Sequence, residues 1–149
     1  MKTISTSILI DAPIASVWAI LMNQEAYPQW NPFIQQLKGD LASGNTIEAI
    51  IQPPGQKAMR FTPLVKVNQP EQEFRWLGHL FFPGIFDGEH YFLLEDIGGK
   101  QTKFIHGEQF RGLFAGLILR LIGESTKAGF VAMNEALKAR AETLSSDQK

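Results

Sequence analysis

The sequence predicts an α+β domain: a curved antiparallel sheet of about seven strands wrapped around a long C-terminal helix, with two short helices after the first strand. Three observations carry this expectation. Near the N-terminus one face of the chain is apolar at every second residue, the period of a half-buried strand. Clusters of Gly, Pro, Asn and Asp cut the stretch from residue 34 to residue 110 into strand-length pieces. After Gly112 the apolar spacing becomes that of a helix.

The first strand runs from about Lys2 to Ile10, with Ile4, Thr6, Ile8 and Ile10 on one face and Thr3, Ser5 and Ser7 on the other. Asp11 is placed to cap the helix that follows, and Pro13 sits in a first turn, where a missing N–H costs no hydrogen bond. Ile14, Val17, Trp18 and Leu21 recur at helical spacing, so this helix extends to about Asn23; a second short helix or turn covers Tyr27, Pro28, Trp30 and Pro32.

The turn words LASGN, QPPGQ, NQPEQ, FFPGIFDG and DIGGK then separate six candidate strands: Phe33 to Lys38, Thr46 to Ile51, Ala58 to Val67, Glu73 to Leu80, Glu89 to Glu95 and Lys103 to Phe110. A meander of sequential antiparallel neighbours is the simplest arrangement. Phe130, Met133 and Leu137 trace the buried stripe of the last helix, with Asn134, Lys138 and Arg140 interleaved. Gly116, Gly123 and Gly129 each cost roughly 1 kcal/mol relative to Ala in a helix interior, so the stretch from Leu113 to Gly129 is expected to kink or to begin as a separate turn. Residues from about 145 to 149 are expected to fray.

A chain of 149 residues fits one domain, residues 1–149. Fourteen Lys and Arg oppose fifteen Asp and Glu, a net charge of −1 with no basic stripe, so nucleic acid is not an expected partner. The absence of cysteine excludes disulfides, thiolate metal sites and a Cys nucleophile. His79, His90 and His106 lack HxH or HExxH spacing, which argues against a metal site, and neither a GxGxxG nor a GKS/GKT word occurs, so no cofactor is implied. The longest apolar run, Leu113 to Ile122, is interrupted by Arg120 and is shorter than the roughly 20 residues of a membrane span. The N-terminus carries no apolar core of a secretory segment, and the expectation is a cytoplasmic protein, monomeric or homodimeric.

Strand phase predicts what faces inward. Phe74, Trp76, Gly78 and Leu80 share one face of their strand, His90, Phe92 and Leu94 of the next, and Phe104, His106, Glu108 and Phe110 of the last. His90, His106 and Glu108 thereby enter an apolar interior, where an unpaired polar group costs about 1 to 3 kcal/mol. They require either one another across neighbouring strands or a polar group on a ligand. Trp30, Phe33, Phe61, Phe82 and Phe114 fall at loops and strand ends, and FFPGIF and LFAGLIL leave apolar area in water unless they close over something. Together with Trp76, Phe92, Phe104 and Phe130, these aromatics are the expected walls of a site for a small apolar ligand, with His90, His106 and Glu108 as its polar end.

The words AYPQWNPF, FRWLGHL, TKFIHGEQFRG and GFVAMNEALKARAE, spread over nearly the whole chain, resemble the polyketide cyclase/dehydrase branch of the START-like, or SRPBCC, superfamily. The resemblance implies the helix-grip fold of the birch pollen allergen and the binding of lipids, sterols, polyketides or hormones. For some members it implies cyclisation or dehydration, but no motif that assigns catalytic residues. Three functions follow as expectations. The first is binding of a hydrophobic or amphipathic small molecule. The second is a lyase in which His106 is the base and Glu108 or His90 its partner. The third is an interaction surface built from Phe81, Phe82, Phe86 and Leu113 to Leu119.

Overall fold

The computed structural model describes residues 2–147. Strand β1 (Lys2–Ile10) leads into helix α1 (Ile14–Met22), a 3-10 turn over Gln24–Ala26 and helix α2 (Tyr27–Trp30). Strands β2 (Ile34–Lys38), β3 (Glu48–Ile51), β4 (Met59–Phe61), β5 (Leu64–Gln69), β6 (Glu73–Leu80), β7 (Phe86–Ile97) and β8 (Gln101–Arg111) follow, and helix α3 (Ala115–Asp147) ends the chain. The helix continues through residues 145–147; the remainder of the tail expected to fray, 148–149, lies outside the described residues.

The strands form two antiparallel sheets, β1-β8-β7-β6-β5 and β2-β3-β4. The expected meander holds from β5 to β8, whereas β1 pairs with β8, so that Thr6 lies opposite His106. The single strand expected over residues 58–67 is two strands in different sheets. Proline at position 63 has no N–H for a ladder and disfavours continuation before it, and the chain changes sheets there. A lone Thr46–Leu64 bridge and the Ile47 N–H to Pro63 carbonyl bond stitch the two sheets together.

Helix α1 starts differently from expectation. Pro13 is its N-cap and makes no side-chain cap bond, while the Asp11 backbone N–H donates to Glu142 Oε2 on α3 instead. Buried Val17, Trp18, Ile20 and Leu21 hold α1 against the core, and Tyr27 Oη donates to the Leu21 carbonyl at 2.8 Å.

Helix α3 is one continuous 33-residue helix despite its glycines. Its buried positions Thr126, Phe130, Met133, Asn134, Leu137 and Ala141 keep the three- and four-residue spacing of a single stripe, which the concave face of the larger sheet covers. Asn134, expected among the interleaved polar residues, lies in that stripe. Gly129 belongs to it because the Phe33 ring lies directly against the helix backbone there.

The main core gathers Phe74, Trp76, Phe92, Phe104, Phe130 and Leu137 with α1 and β2. A second apolar cluster of Phe86, Phe110 and Ala115, with Leu80, Ile118, Leu119 and Ile122 packed on it, sits at the N-terminal end of α3.

Candidate functional site

A cavity of about 100 Å³ lies between the two clusters. Its walls are Phe33 and Trp76 from the main core with the buried His90 beside them, Leu80, Phe86, Phe110 and Ile122 from the smaller one, and Ile51, Pro53, Met59, Phe61 and Pro63 from the three-stranded sheet and its loops. Glu108, Thr126 and His79 supply the polar side chains. Ligand pockets are typically about 300–1,000 Å³. A ligand of several rings therefore needs the rim to move, and exposed Met59 stands at that rim.

Cross-strand register brings the polar end together. His90 on β7 lies opposite Glu108 on β8, and its Nδ1 is 3.2 Å from Glu108 Oε1. Its Nε2 is 2.7 Å from His106 Nε2. Behind them His106 Nδ1 meets Asn134 Oδ1 at 3.0 Å, and Asn134 Nδ2 donates to Thr6 Oγ1 at 2.9 Å. Gly88 makes the geometry possible, since a β-carbon on it would collide with Glu108 Oε2.

Both imidazoles are packed in aromatics. Trp76 stacks on His90 at 5.0 Å between centroids, and Phe130 stacks on His106 at 4.2 Å. Burial, and secondarily His90, hold the His106 pKa well below the ordinary imidazole value, against the opposing pull of hydrogen bonds to Asn134 and the Phe130 carbonyl. His106 is therefore neutral at pH 7, with both ring nitrogens engaged.

The predicted strand phase is the one observed, and it places the predicted site residues in four locations. Phe33, Phe61, Trp76, His90 and Glu108 line the cavity. Phe92, Phe104, His106 and Phe130 are fully buried behind it, so they fill the core rather than form a wall, because aromatic rings from three strands and α3 interleave there. Trp30 lies elsewhere, in a groove between α1 and the end of α3. Phe82 and Phe114 are exposed on the surface rather than in the cavity wall.

The surface of Phe81, Phe82, Leu113, Phe114, Leu117 and Leu121 is exposed, and backbone bonds from Leu113 N–H to Gly84 and from Phe114 N–H to Ile85 join its two segments. Phe86, expected in that surface, instead packs on Phe110 at 5.3 Å, because β7 begins there with its side chain turned inward.

Gly88, Asn134 and Thr126 escaped the sequence-based site. The signal for Asn134 was its position four residues after Phe130, on the same helix face. At the edge of the cavity His79 Nδ1 pairs with Asp87 Oδ1 at 2.7 Å, and away from it Arg75 bridges Glu73 and Glu89, 4.7 Å over the Tyr91 ring. Among the described residues no group of three or more His, Cys, Asp or Glu is placed to hold a metal ion, and no helix is long and apolar enough to cross a membrane.

A family model described as polyketide cyclase/dehydrase and lipid transport matches residues 1–142. No curated protein matches the chain. Among solved structures, the Zhui aromatase/cyclase from a Streptomyces species is similar, with a TM-score of 0.76 at 13% identity over 95% of this chain and 93% of that one. A START superfamily protein from Mycobacterium smegmatis matches with a TM-score of 0.70 at 21% identity, over 95% and 98%. A norcoclaurine synthase point mutant from Thalictrum flavum, in complex with a transition-state analogue, matches at 0.72 and 12% identity, over 95% and 94%. At these identities the three support the fold alone.

Proposed function

The chain belongs to the polyketide cyclase/dehydrase and lipid transport family, and on that premise we propose that it binds a hydrophobic or amphipathic small molecule, lipid-, polyketide- or aromatic-like, in the cavity between its two apolar clusters. The observation that carries this proposal is an apolar chamber with a single carboxylate, Glu108, held in its wall by a buried imidazole. Apolar area removed from water there contributes about 25 cal/mol per Å², and one anchored polar group fixes orientation.

The same pair favours a second proposal, proton transfer on a bound substrate by Glu108 with His90 as its partner. The aromatase/cyclase likeness is consistent with it. His106 is a poorer base than the sequence suggested, since both its nitrogens are occupied and burial keeps it from taking up a proton.

Native mass spectrometry of freshly purified protein, followed by solvent extraction and titration with apolar probes read on Trp fluorescence, tests the binding proposal. A stoichiometric apolar adduct, or saturable quenching lost in Trp76→Leu, supports it. A clean mass with no saturable binding by any probe sinks it.

A further inference from the structure

The hydrogen-bond chain that ends at the cavity has one permitted polarity, and a backbone carbonyl sets it. The His106 carbonyl can only accept, and Thr6 Oγ1 donates to it at 2.9 Å. A hydroxyl has one proton, so Thr6 Oγ1 is the acceptor in its bond with Asn134 Nδ2. That orientation turns Asn134 Oδ1, an acceptor, toward His106 Nδ1, which therefore carries a hydrogen. Neutral His106 then has only a lone pair on Nε2, and at 2.7 Å it must accept from an N–H on His90 Nε2. With that nitrogen committed as a donor, His90 Nδ1 and Glu108 Oε1 require one further proton between them. It makes His90 an imidazolium beside a carboxylate, or leaves a neutral imidazole beside a carboxylic acid. Either way the pair is neutral in total, and Glu108 Oε2, against Gly88 and without a hydrogen-bond partner among the described residues, is an acceptor.

We propose that Thr6 and Asn134 are positioning residues: through this one-way chain they keep the His90–Glu108 pair charged with a proton, so that the cavity selects neutral apolar ligands bearing a hydroxyl or phenol donor over ligands bearing only acceptors or an ammonium group. A reversed chain would place the His106 hydrogen on Nε2, let neutral His90 donate from Nδ1 to a bare carboxylate, and give the site a net negative charge that recruits cations. The proposal rests on the cavity being the binding site.

The test uses three probes of equal length, an alkylphenol, its methyl ether and an alkylammonium, titrated into wild type, Thr6→Val, Thr6→Ser and Asn134→Leu. Histidine ¹⁵N shifts are recorded on the same samples. Wild type is expected to carry the His106 hydrogen on Nδ1 and to bind the phenol about tenfold tighter than the ether, a difference of about 1.4 kcal/mol, and tighter than the ammonium. Thr6→Val and Asn134→Leu should lose that preference, gain affinity for the ammonium and change the His106 shifts, while Thr6→Ser retains the wild-type pattern. A protein that merely loses packing would weaken all three probes alike. Equal binding of phenol and ether by wild type, or a His106 hydrogen on Nε2, overturns this proposal while leaving the cavity in use; failure of every probe to bind overturns the cavity itself. If Asn134→Leu does not fold, the Thr6 pair decides alone.

Discussion

The ring of Phe33 lies so close to Gly129 that a β-carbon on the glycine would collide with its Cδ1 and Cε1 atoms. This contact brings the start of β2 onto α3, and the same ring packs edge-on to Phe130 at 5.5 Å and walls the cavity. A glycine that looked like a helix defect is where the small sheet docks.

Replacing Gly129 by Ala should destabilise the protein by about 1 to 3 kcal/mol through overpacking, outweighing the roughly 1 kcal/mol gained in helix propensity. Gly123→Ala, which meets nothing within 4 Å, should instead stabilise by up to about 1 kcal/mol. Urea denaturation of the two variants should therefore show shifts of opposite sign.

Gly88→Ala should separate stability from binding. The atoms nearest the new β-carbon all belong to the Glu108 side chain, whose end can swing away, so the unfolding free energy should fall by less than about 1 kcal/mol, while a phenolic probe should bind about tenfold more weakly as the carboxylate is pushed aside. Unchanged probe affinity would place the polar anchor elsewhere.

Stability should decline on mild acidification. His106 in the fold stays neutral well below 6.5, whereas in the unfolded chain it takes up a proton near 6.5, so the unfolded state binds more protons as pH falls through that value. One such group contributes a slope of up to about 1.4 kcal/mol per pH unit below 6.5. Denaturation curves between pH 7.5 and about 5 should show it in wild type and a flatter profile in His106→Gln, whatever that variant's absolute stability. Asp87, held below the carboxylate range by hydrogen bonds from His79 and Gly84 that prevail over its burial, contributes only at more acid pH.

Phe82→Ser and Leu121→Ser remove side chains that are 74% and 75% exposed, so each should change stability by no more than about 0.5 kcal/mol. If that surface joins two molecules, the double variant should lower the apparent mass in light scattering at high concentration; a monomer in both proteins counts against self-association through it.

The fold was legible because period-two alternation and turn chemistry are local signals. They gave β1 its observed bounds, and they gave β6, β7 and β8 the phase that predicts an imidazole reaching a carboxylate, realised as His90 and Glu108. What stayed hidden depends on distant partners. Alternation places Phe92, Phe104 and His106 inside, but whether an inward ring lines a space or fills it depends on the side chains arriving from α3. The sheet change at Pro63 was readable in principle, since a proline inside a central strand argues against that strand. Helix α3 continues without a break past Gly116, Gly123 and Gly129 because tertiary burial outweighs propensity.

Pairing of β1 with β8 joins the first described residues to ones made about a hundred positions later, Thr6 with His106 among them. On the ribosome, β1 emerges long before its partner exists. It waits with its backbone groups unpaired while β5 to β7 are already able to form their own ladder. The sheet, the helix it grips and the Thr6–Asn134 link can close only after nearly the whole chain has been released. Such distant pairing slows folding, and a chain stalled in synthesis before β8 leaves an apolar strand edge for chaperones to cover.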